Sequence, residues 1–216
     1  MSVDKFKVLI LTDSLSLPRS YSNGFVRYNQ TYVSLLKKAN PEIDFIHVGI
    51  GGATITRLLE LTRYYIYAEP HLVILHCGIV DCAPRALSEF ELQLFGKLKL
   101  LRFIKPFTTF LRRYRGLTYT NIRLFTETLI KIRDSFKTSS FITVGILPSC
   151  NEYEAITPGI TRNIARYNAV LEENTNYIDN KKFPRDGIID DHHHLSEEGH
   201  LEIFHKLQIV IKDTFS

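Results

Sequence analysis

The sequence contains only three cysteines, Cys77, Cys82 and Cys150. Their number is odd and their spacing matches no metal-binding pattern, which argues against both a disulfide framework and a zinc site built on cysteine. We interpret them as the reduced thiols of a cytosolic protein.

Long apolar runs are also missing. No run approaches the roughly 20 residues that a membrane-spanning helix needs. The N-terminus lacks a charged-then-apolar leader, because residues 7–11 already read as part of the fold. We therefore expect a cytoplasmic protein without stable membrane insertion.

A strong charge of one sign is absent as well. The 27 basic and 23 acidic residues give a formal net charge of +4, a mild excess that predicts no nucleic-acid partner. Repeats, linkers and low-complexity tracts are not found. A chain of 216 residues with 44% hydrophobic content can bury a sizeable core, and we expect one α/β domain over residues 1–216.

Short apolar segments alternate along the chain with segments of helical periodicity. The predicted strands are 7–11, 43–48, 72–76, 141–147 and 176–179, and the predicted helices are 25–36, 54–65, 121–137, 161–174 and 196–213. This alternation predicts a parallel sheet with helices on both faces.

Residues 86–120 depart from this order by mixing large apolar residues with lysine and arginine, interrupted at Pro106. We interpret this basic insertion as two amphipathic helices packed over the sheet. A mobile lid, a dimer surface, and a site for an anionic glycan or membrane surface remain alternatives. We expect the insertion to determine substrate choice, and a homo-oligomer stays open.

Two motifs at opposite ends of the chain carry the candidate chemistry. Thr12-Asp13-Ser14-Leu15 follows the first strand, where open α/β sheets gather reactive groups. Asp190 to His200 reads D-D-H-H-H-L-S-E-E-G-H. In this order the two motifs resemble the first and last sequence blocks of the SGNH hydrolases, also called GDSL-type esterases and lipases. The resemblance implies a three-layer α/β/α, flavodoxin-like fold with a five-stranded parallel sheet.

The same resemblance implies a catalytic triad. A serine hydroxyl needs a base within hydrogen-bond reach and a third group to orient that base. Ser14 would be the nucleophile, His194 the base and Asp191 the orienting carboxylate. Asp190 and His193 have the same spacing. We prefer Asp191 and His194, because this pairing places Leu195-Ser196 and Gly199-His200 where the family has them. His192 and His193 are assigned to support or substrate contact.

The middle of the chain matches the family less well. Gly52 lies in a glycine-rich turn that resembles the second block, which implies that its N–H and that of Ser14 bind the oxyanion. Residues 78–81 read Gly-Ile-Val-Asp, so Val80 stands where the third block has an oxyanion-binding asparagine. His76, Arg85 and a backbone N–H at Gly78 are candidate replacements. Asp81 is expected to brace this loop.

The resemblance implies a serine esterase that removes a short acyl group, most plausibly acetyl, from a carbohydrate or similar small substrate. Residues 78–85 resemble a variant block associated with bacterial surface-polysaccharide pathways. An O-acyltransferase and a catalytically weakened, glycan-binding or complex-forming module are the alternatives. We expect no cofactor and no metal, although a zinc site at the histidine cluster is a rival interpretation.

Overall fold

A computed structural model describes residues 5–22 and 24–215 of the chain. In chain order the strands are β1 Lys7–Thr12, β2 Arg19–Tyr21, β3 Gly24–Val26, β4 Asp44–Gly49, β5 Leu72–His76, β6 Ser140–Val144 and β7 Asn176–Ile178. Five of them form a parallel sheet in the order β4-β1-β5-β6-β7, and β2 pairs with β3 as a separate antiparallel hairpin.

Helices cover both faces of the parallel sheet. Their bounds are α1 Tyr32–Ala39, α2 Ile55–Tyr65, α3 Ile79–Cys82, α4 Glu89–Lys97, α5 Leu101–Ile104, α6 Thr108–Arg115, α7 Ile122–Ser135, α8 Asn151–Ile156, α9 Ile160–Asn174 and α10 Glu197–Phe215. Helices α1 and α10 pack together, whereas α2, α7 and α9 form a second layer. The predicted three-layer fold with five parallel strands is therefore confirmed.

The central strands are buried on both faces because helices cover both sides of the sheet. In β1 and β5 the aliphatic side chains are almost fully inaccessible to solvent. They belong to one continuous cluster of buried apolar residues that also includes the inner sides of the long helices. This arrangement brings the ends of β1 and β5 to the same edge of the sheet.

The predicted helix over 25–36 is wrong in its first half. Residues 24–26 form the hairpin strand β3, where Phe25 remains 53% exposed, and α1 begins only at Tyr32. The Thr31 side chain caps this helix by accepting a hydrogen bond from the Ser34 N–H. The apolar spacing of residues 25–31 thus reflects an exposed hairpin and a short 3-10 turn.

The insertion does not pack over the sheet as expected. Between residues 86 and 120 the chain forms three short helices, α4, α5 and α6, and none of the apolar side chains described in them is buried. Its large exposed side chains are Phe90, Leu92, Leu94, Leu98, Leu100, Leu101, Phe103, Phe107, Phe110 and Tyr114. In the part of the chain that the structure describes, no helix is long and apolar enough to cross a membrane.

Candidate active site

Ser14 lies immediately beyond the carboxyl end of β1, where it begins a short 3-10 helix. Asp13 caps this turn, since its Oδ1 accepts a hydrogen bond from the Leu15 N–H at 2.9 Å. The Asp13 N–H reaches across to the carbonyl oxygen of His76, the last residue of β5, at 3.3 Å. The Ser14 side chain is thus held at the edge shared by the two central strands.

Folding brings this serine against the C-terminal motif. The Ser14 Oγ lies 2.8 Å from Nε2 of His194, although 180 residues separate the two in sequence. The other ring nitrogen of His194, Nδ1, lies 2.6 Å from Oδ2 of Asp191. Ser14, His194 and Asp191 are therefore joined by a continuous relay of hydrogen bonds. This is the pairing of Asp191 with His194, and not that of Asp190 with His193.

The Asp191 carboxylate is arranged to stay ionised. Burial raises its pKa, but the hydrogen bond from His194 and the positive potential of His193 and His194 outweigh this effect, so that the pKa lies below its usual value. The backbone N–H groups of His193 and His194 also donate to Oδ1, at 3.1 and 3.0 Å. An ionised carboxylate in this position can orient an imidazole by accepting a hydrogen bond from its Nδ1–H.

A compact turn holds Asp191 and His194 in place. Ile188 bridges to Leu195, and the Ile189 N–H donates to the His194 carbonyl oxygen at 3.0 Å. Helix α10 follows at once and packs tightly on the segment before the turn. A Cβ atom on Gly199 would overlap the carbonyl oxygen of Gly187, so that only glycine permits this approach.

The backbone N–H groups of Ser14 and Gly52 are available near the serine hydroxyl. Both residues line the same cavity. Gly52 has a φ of +71°, a left-handed conformation that favours glycine, in the turn after β4. Within residues 5–22 and 24–215, the structure shows no hydrogen-bond acceptor for either N–H. Two donors can therefore face an oxygen held beside Ser14.

Three residues near Val80 were candidates for a third oxyanion donor, and the structure places them differently. Val80 lines the cavity without a side-chain donor, and its carbonyl oxygen accepts a hydrogen bond from Arg85 Nη2 at 3.1 Å. His76 is fully buried, with its Nδ1 3.1 Å from the Tyr32 hydroxyl. Gly78, predicted as an oxyanion or substrate contact, is not among the residues of the cavity wall, whereas Arg85 is. Arg85 thus remains the candidate that the cavity favours.

Asp81 braces the neighbouring loop, as the sequence predicts. Its carboxylate accepts hydrogen bonds from the Ile55 N–H at the start of α2 and from the Thr120 hydroxyl. Burial raises its pKa to about 6, against the effect of these hydrogen bonds. The side chain of Asn163 in α9 also holds this loop, since it donates a hydrogen bond to the carbonyl oxygen of Cys82 at 2.8 Å. These contacts fix the loop that carries Val80 and Arg85.

A cavity of about 690 Å³ opens above the serine. It is wide enough for a small polar molecule, since ligand pockets typically enclose about 300 to 1,000 Å³. Several of its wall residues were not predicted as site residues from the sequence, namely Arg19, Ile79, Ala83, Pro84, Arg112, Tyr119, Tyr153, Ile156 and Thr157. The residues from the insertion and from the region of α8, namely Arg112, Tyr119, Tyr153, Ile156 and Thr157, come together at this wall only in the folded chain.

The two extra histidines lie on different sides of the turn. His193 lines the cavity and stacks on Tyr153, with ring centroids 5.6 Å apart. His192 points instead to Cys150, whose Sγ lies 3.7 Å from its Nδ1, and to Arg185. His193 is therefore positioned where it can contact a substrate. His192 contacts neighbouring side chains of the protein, which fits a supporting position.

The metal interpretation has one geometric candidate in the described part of the chain. One atom each from Asp191, His193 and His194 lies within 4.8 Å of the others. Oδ2 of Asp191 and Nδ1 of His194 are, however, hydrogen-bonded to each other. An ion at these atoms would have to displace that hydrogen bond, and the relay to Ser14 would be lost.

Comparison with known proteins places this geometry in a known fold. No protein-family model and no curated protein matches the chain. Among solved structures, the lipase/acylhydrolase from Enterococcus faecalis superposes with a TM-score of 0.68 at 17% identity, covering 96% of this chain and 95% of that chain. The psychrotrophic esterase EstA from Pseudoalteromonas sp. gives a TM-score of 0.61 at 15% identity, covering 96% and 97% of the two chains.

A GDSL-like lipase from Bacteroides thetaiotaomicron gives a TM-score of 0.63 at 15% identity, covering 96% of this chain and 88% of that chain. At such low identity the likeness establishes the fold, and the order of the strands and the position of Ser14 after β1 agree with the fold expected from the sequence blocks. The chain therefore has the fold of the GDSL-type, or SGNH, hydrolases.

Proposed function

We propose that the protein is a GDSL-type serine esterase that removes a short acyl group, O-acetyl, from a carbohydrate or similar small substrate. The observation that carries the proposal is the hydrogen-bonded relay from Ser14 Oγ through His194 to Asp191, at 2.8 and 2.6 Å. These distances are those that activation of a serine hydroxyl requires.

In the first half of the reaction, Ser14 Oγ attacks the ester carbonyl carbon while His194 Nε2 takes the hydroxyl proton. The carbonyl oxygen gains negative charge and is stabilised by the N–H groups of Ser14 and Gly52. The C–O bond to the alcohol then breaks. The proton on His194 passes to the departing alkoxide oxygen, which leaves an acyl-serine and a free hydroxyl.

In the second half, water attacks the acyl-serine while His194 takes a proton from it. Collapse of the tetrahedral intermediate returns that proton to Ser14 Oγ and releases the carboxylic acid. Asp191 holds the imidazole in the required orientation throughout. If a sugar hydroxyl replaces water in this step, the same site performs O-acyl transfer, and product analysis with and without an acceptor distinguishes the two reactions.

The substitution at Val80 supports the competing proposal of a binding module. Removing one oxyanion donor costs about 10²- to 10³-fold in turnover, so a site with only two backbone donors would be weakened. Arg85 beside Val80 can offset part of this loss through its guanidinium. The esterase proposal therefore expects slow but measurable hydrolysis.

A panel of acetylated sugars and a chromogenic acetate ester tests the choice. The esterase proposal expects acetate release by the wild type and its loss in Ser14→Ala. Release that persists in Ser14→Ala and stops on chelation would favour the metal interpretation. A wild type that binds sugars without releasing acetate would favour the binding module.

A further inference from the structure

Three arginines line the cavity that holds the Ser14 hydroxyl. Arg19 comes from strand β2, Arg85 from the loop after α3, and Arg112 from helix α6 of the insertion. They are far apart in sequence and meet only around this cavity. The positive charge of the insertion thus reaches the candidate active site at Arg112.

No ion pair among the described side chains balances this charge, although the buried carboxyl groups of Asp13 and Asp81 interact through space with Arg19 and Arg85. The one carboxylate in the cavity wall, that of Asp191, already accepts hydrogen bonds from His194. Among the side chains that the structure describes, no carboxylate forms an ion pair with any of the three arginines. Arg115 in the same helix differs, because it pairs with Glu91 at 2.8 Å.

Neutral groups hold Arg85 and Arg112 in place. Arg85 donates to the Val80 carbonyl oxygen and lies 4.0 Å over the ring of Tyr119. Arg112 donates to the carbonyl oxygen of Ile156 at 2.7 Å. Such contacts orient a guanidinium but leave its charge uncompensated and other N–H groups free to bind.

The three guanidinium groups also have polar atoms without partners in the part of the chain that the structure describes. Nε of Arg19, of Arg85 and of Arg112 is buried, and the described residues supply no hydrogen-bond partner for it. Burial and then the charge of Arg85 also lower the pKa of Arg112. Like charges held together in this way are best compensated by an anion placed between them.

We propose that the substrate carries an anionic group, a carboxylate or a phosphate, which Arg85 and Arg112 bind while the acyl carbonyl lies at Ser14. The inference rests on the proposed esterase function and narrows its substrate to an acidic acylated carbohydrate. Arg19 in strand β2 lines the same cavity and adds to its positive potential. Bidentate binding by a guanidinium fits the planar geometry of either anion.

Three matched substrates test this proposal. They are a mono-O-acetylated methyl glucoside, the corresponding methyl glucuronide, and the corresponding methyl glucoside 6-phosphate. We expect the kcat/KM of the wild type to be about 10- to 100-fold higher for an acidic substrate than for the neutral one, which is the usual effect of one or two charge-assisted hydrogen bonds. Whichever acidic substrate has the larger kcat/KM relative to the neutral one shows whether the site prefers a carboxylate or a phosphate.

Variants locate the effect at the arginines. The ratio of acidic to neutral kcat/KM should fall about 10-fold or more in Arg112→Gln, and Arg112→Lys should restore part of it. Arg113→Gln is the matched control. Arg113 is next to Arg112 in sequence but does not line the cavity that holds Ser14, so this variant should leave the ratio intact. A ratio near one in the wild type, or an equal fall in Arg113→Gln, would overturn the proposal.

A binding measurement separates this inference from the esterase proposal. Titration calorimetry with Ser14→Ala should detect the acetylated glucuronide or phosphate but not the glucoside, and added salt should weaken the binding. This result would support the anion site even if the wild type hydrolysed none of the substrates. Equal affinity for all three substrates, or no binding of either acidic one, would reject it.

Discussion

Two buried carboxyl groups lie beside the nucleophile and link its surroundings to pH. Burial raises the pKa of Asp13 to about 7, against the hydrogen bond from the Leu15 N–H. Burial raises that of Asp81 to about 6. Because an unfolded aspartate has a pKa near 3.9, these two groups bind more protons in the folded chain than in the unfolded chain between about pH 4 and pH 7. The contribution of Asp13 and Asp81 to the unfolding free energy should therefore fall as the pH rises through this window, whereas that of the histidines His47, His76 and His200, whose pKa burial lowers, has the opposite sign.

Asp13→Asn removes one of these titrating groups while keeping an oxygen that can accept from Leu15. Its unfolding free energy, minus that of the wild type, should increase from about pH 4 to about pH 7, as measured by urea denaturation. The pH-independent cost of the substitution shifts this difference by a constant. Asp213→Asn, at an exposed position of α10, is measured alongside as the control for the same chemical change. A flat difference for Asp13→Asn would contradict the assignment.

Individual residues show what the sequence can and cannot predict about the site. Ser14, Asp191 and His194 were identified from two short motifs, and the structure brings their side chains within hydrogen-bond distance. Their catalytic roles remain predictions. Arg112 belongs to the insertion that we expected to determine substrate choice, but its position in the cavity wall could not be predicted, and Tyr153 was not selected at all. No local pattern encodes how the insertion and α8 lie at the cavity.

Helix α10 positions the histidine through its first turn. The Ser196 hydroxyl accepts from the Gly199 N–H at 3.2 Å, as expected of an N-cap, and Gly199 lies directly against Gly187. Gly199→Ala should push the helix away from the segment that leads to Asp191. We expect a loss of about 1 to 3 kcal/mol in unfolding free energy, typical of overpacking, together with reduced turnover, measured by urea denaturation and ester hydrolysis.

Gly96→Ala provides the matched control for that substitution. Gly96 is exposed in α4, and an added Cβ would make only ordinary contact with Leu101 at 3.8 Å. This change should be neutral or stabilise the chain by up to about 1 kcal/mol. Equal stability of the two variants would show that the close approach of α10 is not required.

At the level of elements, the sequence predicts the buried parts better than the exposed ones. Strands β1 and β5 were found because each is a short aliphatic run bounded by turns. Residues 25–31 and the insertion misled the prediction because large side chains in them, such as Phe25, Tyr28 and Phe103, remain exposed. Helix α8, of only six residues, lacks enough turns to show a periodic pattern.

For the whole molecule, we propose that the chain folds as one domain that includes the insertion. The buried residues outside the insertion form one continuous cluster, and the insertion is joined to the rest of the chain by the hydrogen bond from Arg112 to the Ile156 carbonyl oxygen and by the bridge between Arg85 and Leu117. Together these contacts predict a single cooperative unfolding transition. Because the sequence lacks tryptophan, tyrosine fluorescence and far-ultraviolet circular dichroism are the two suitable probes. Coincident urea transitions are expected. A separate early transition, with proteolytic cleavage confined to residues 86–120, would show that the insertion unfolds independently.

The central claim is that Ser14 is an activated nucleophile, and covalent labelling tests it without knowledge of the substrate. A fluorophosphonate probe should modify the wild type at one residue, which peptide mass spectrometry should identify as Ser14, whose hydroxyl lies 2.8 Å from His194. Labelling should be lost in Ser14→Ala and strongly slowed in His194→Gln. Modification of another residue, or an unlabelled wild type that remains fully folded, would contradict the account.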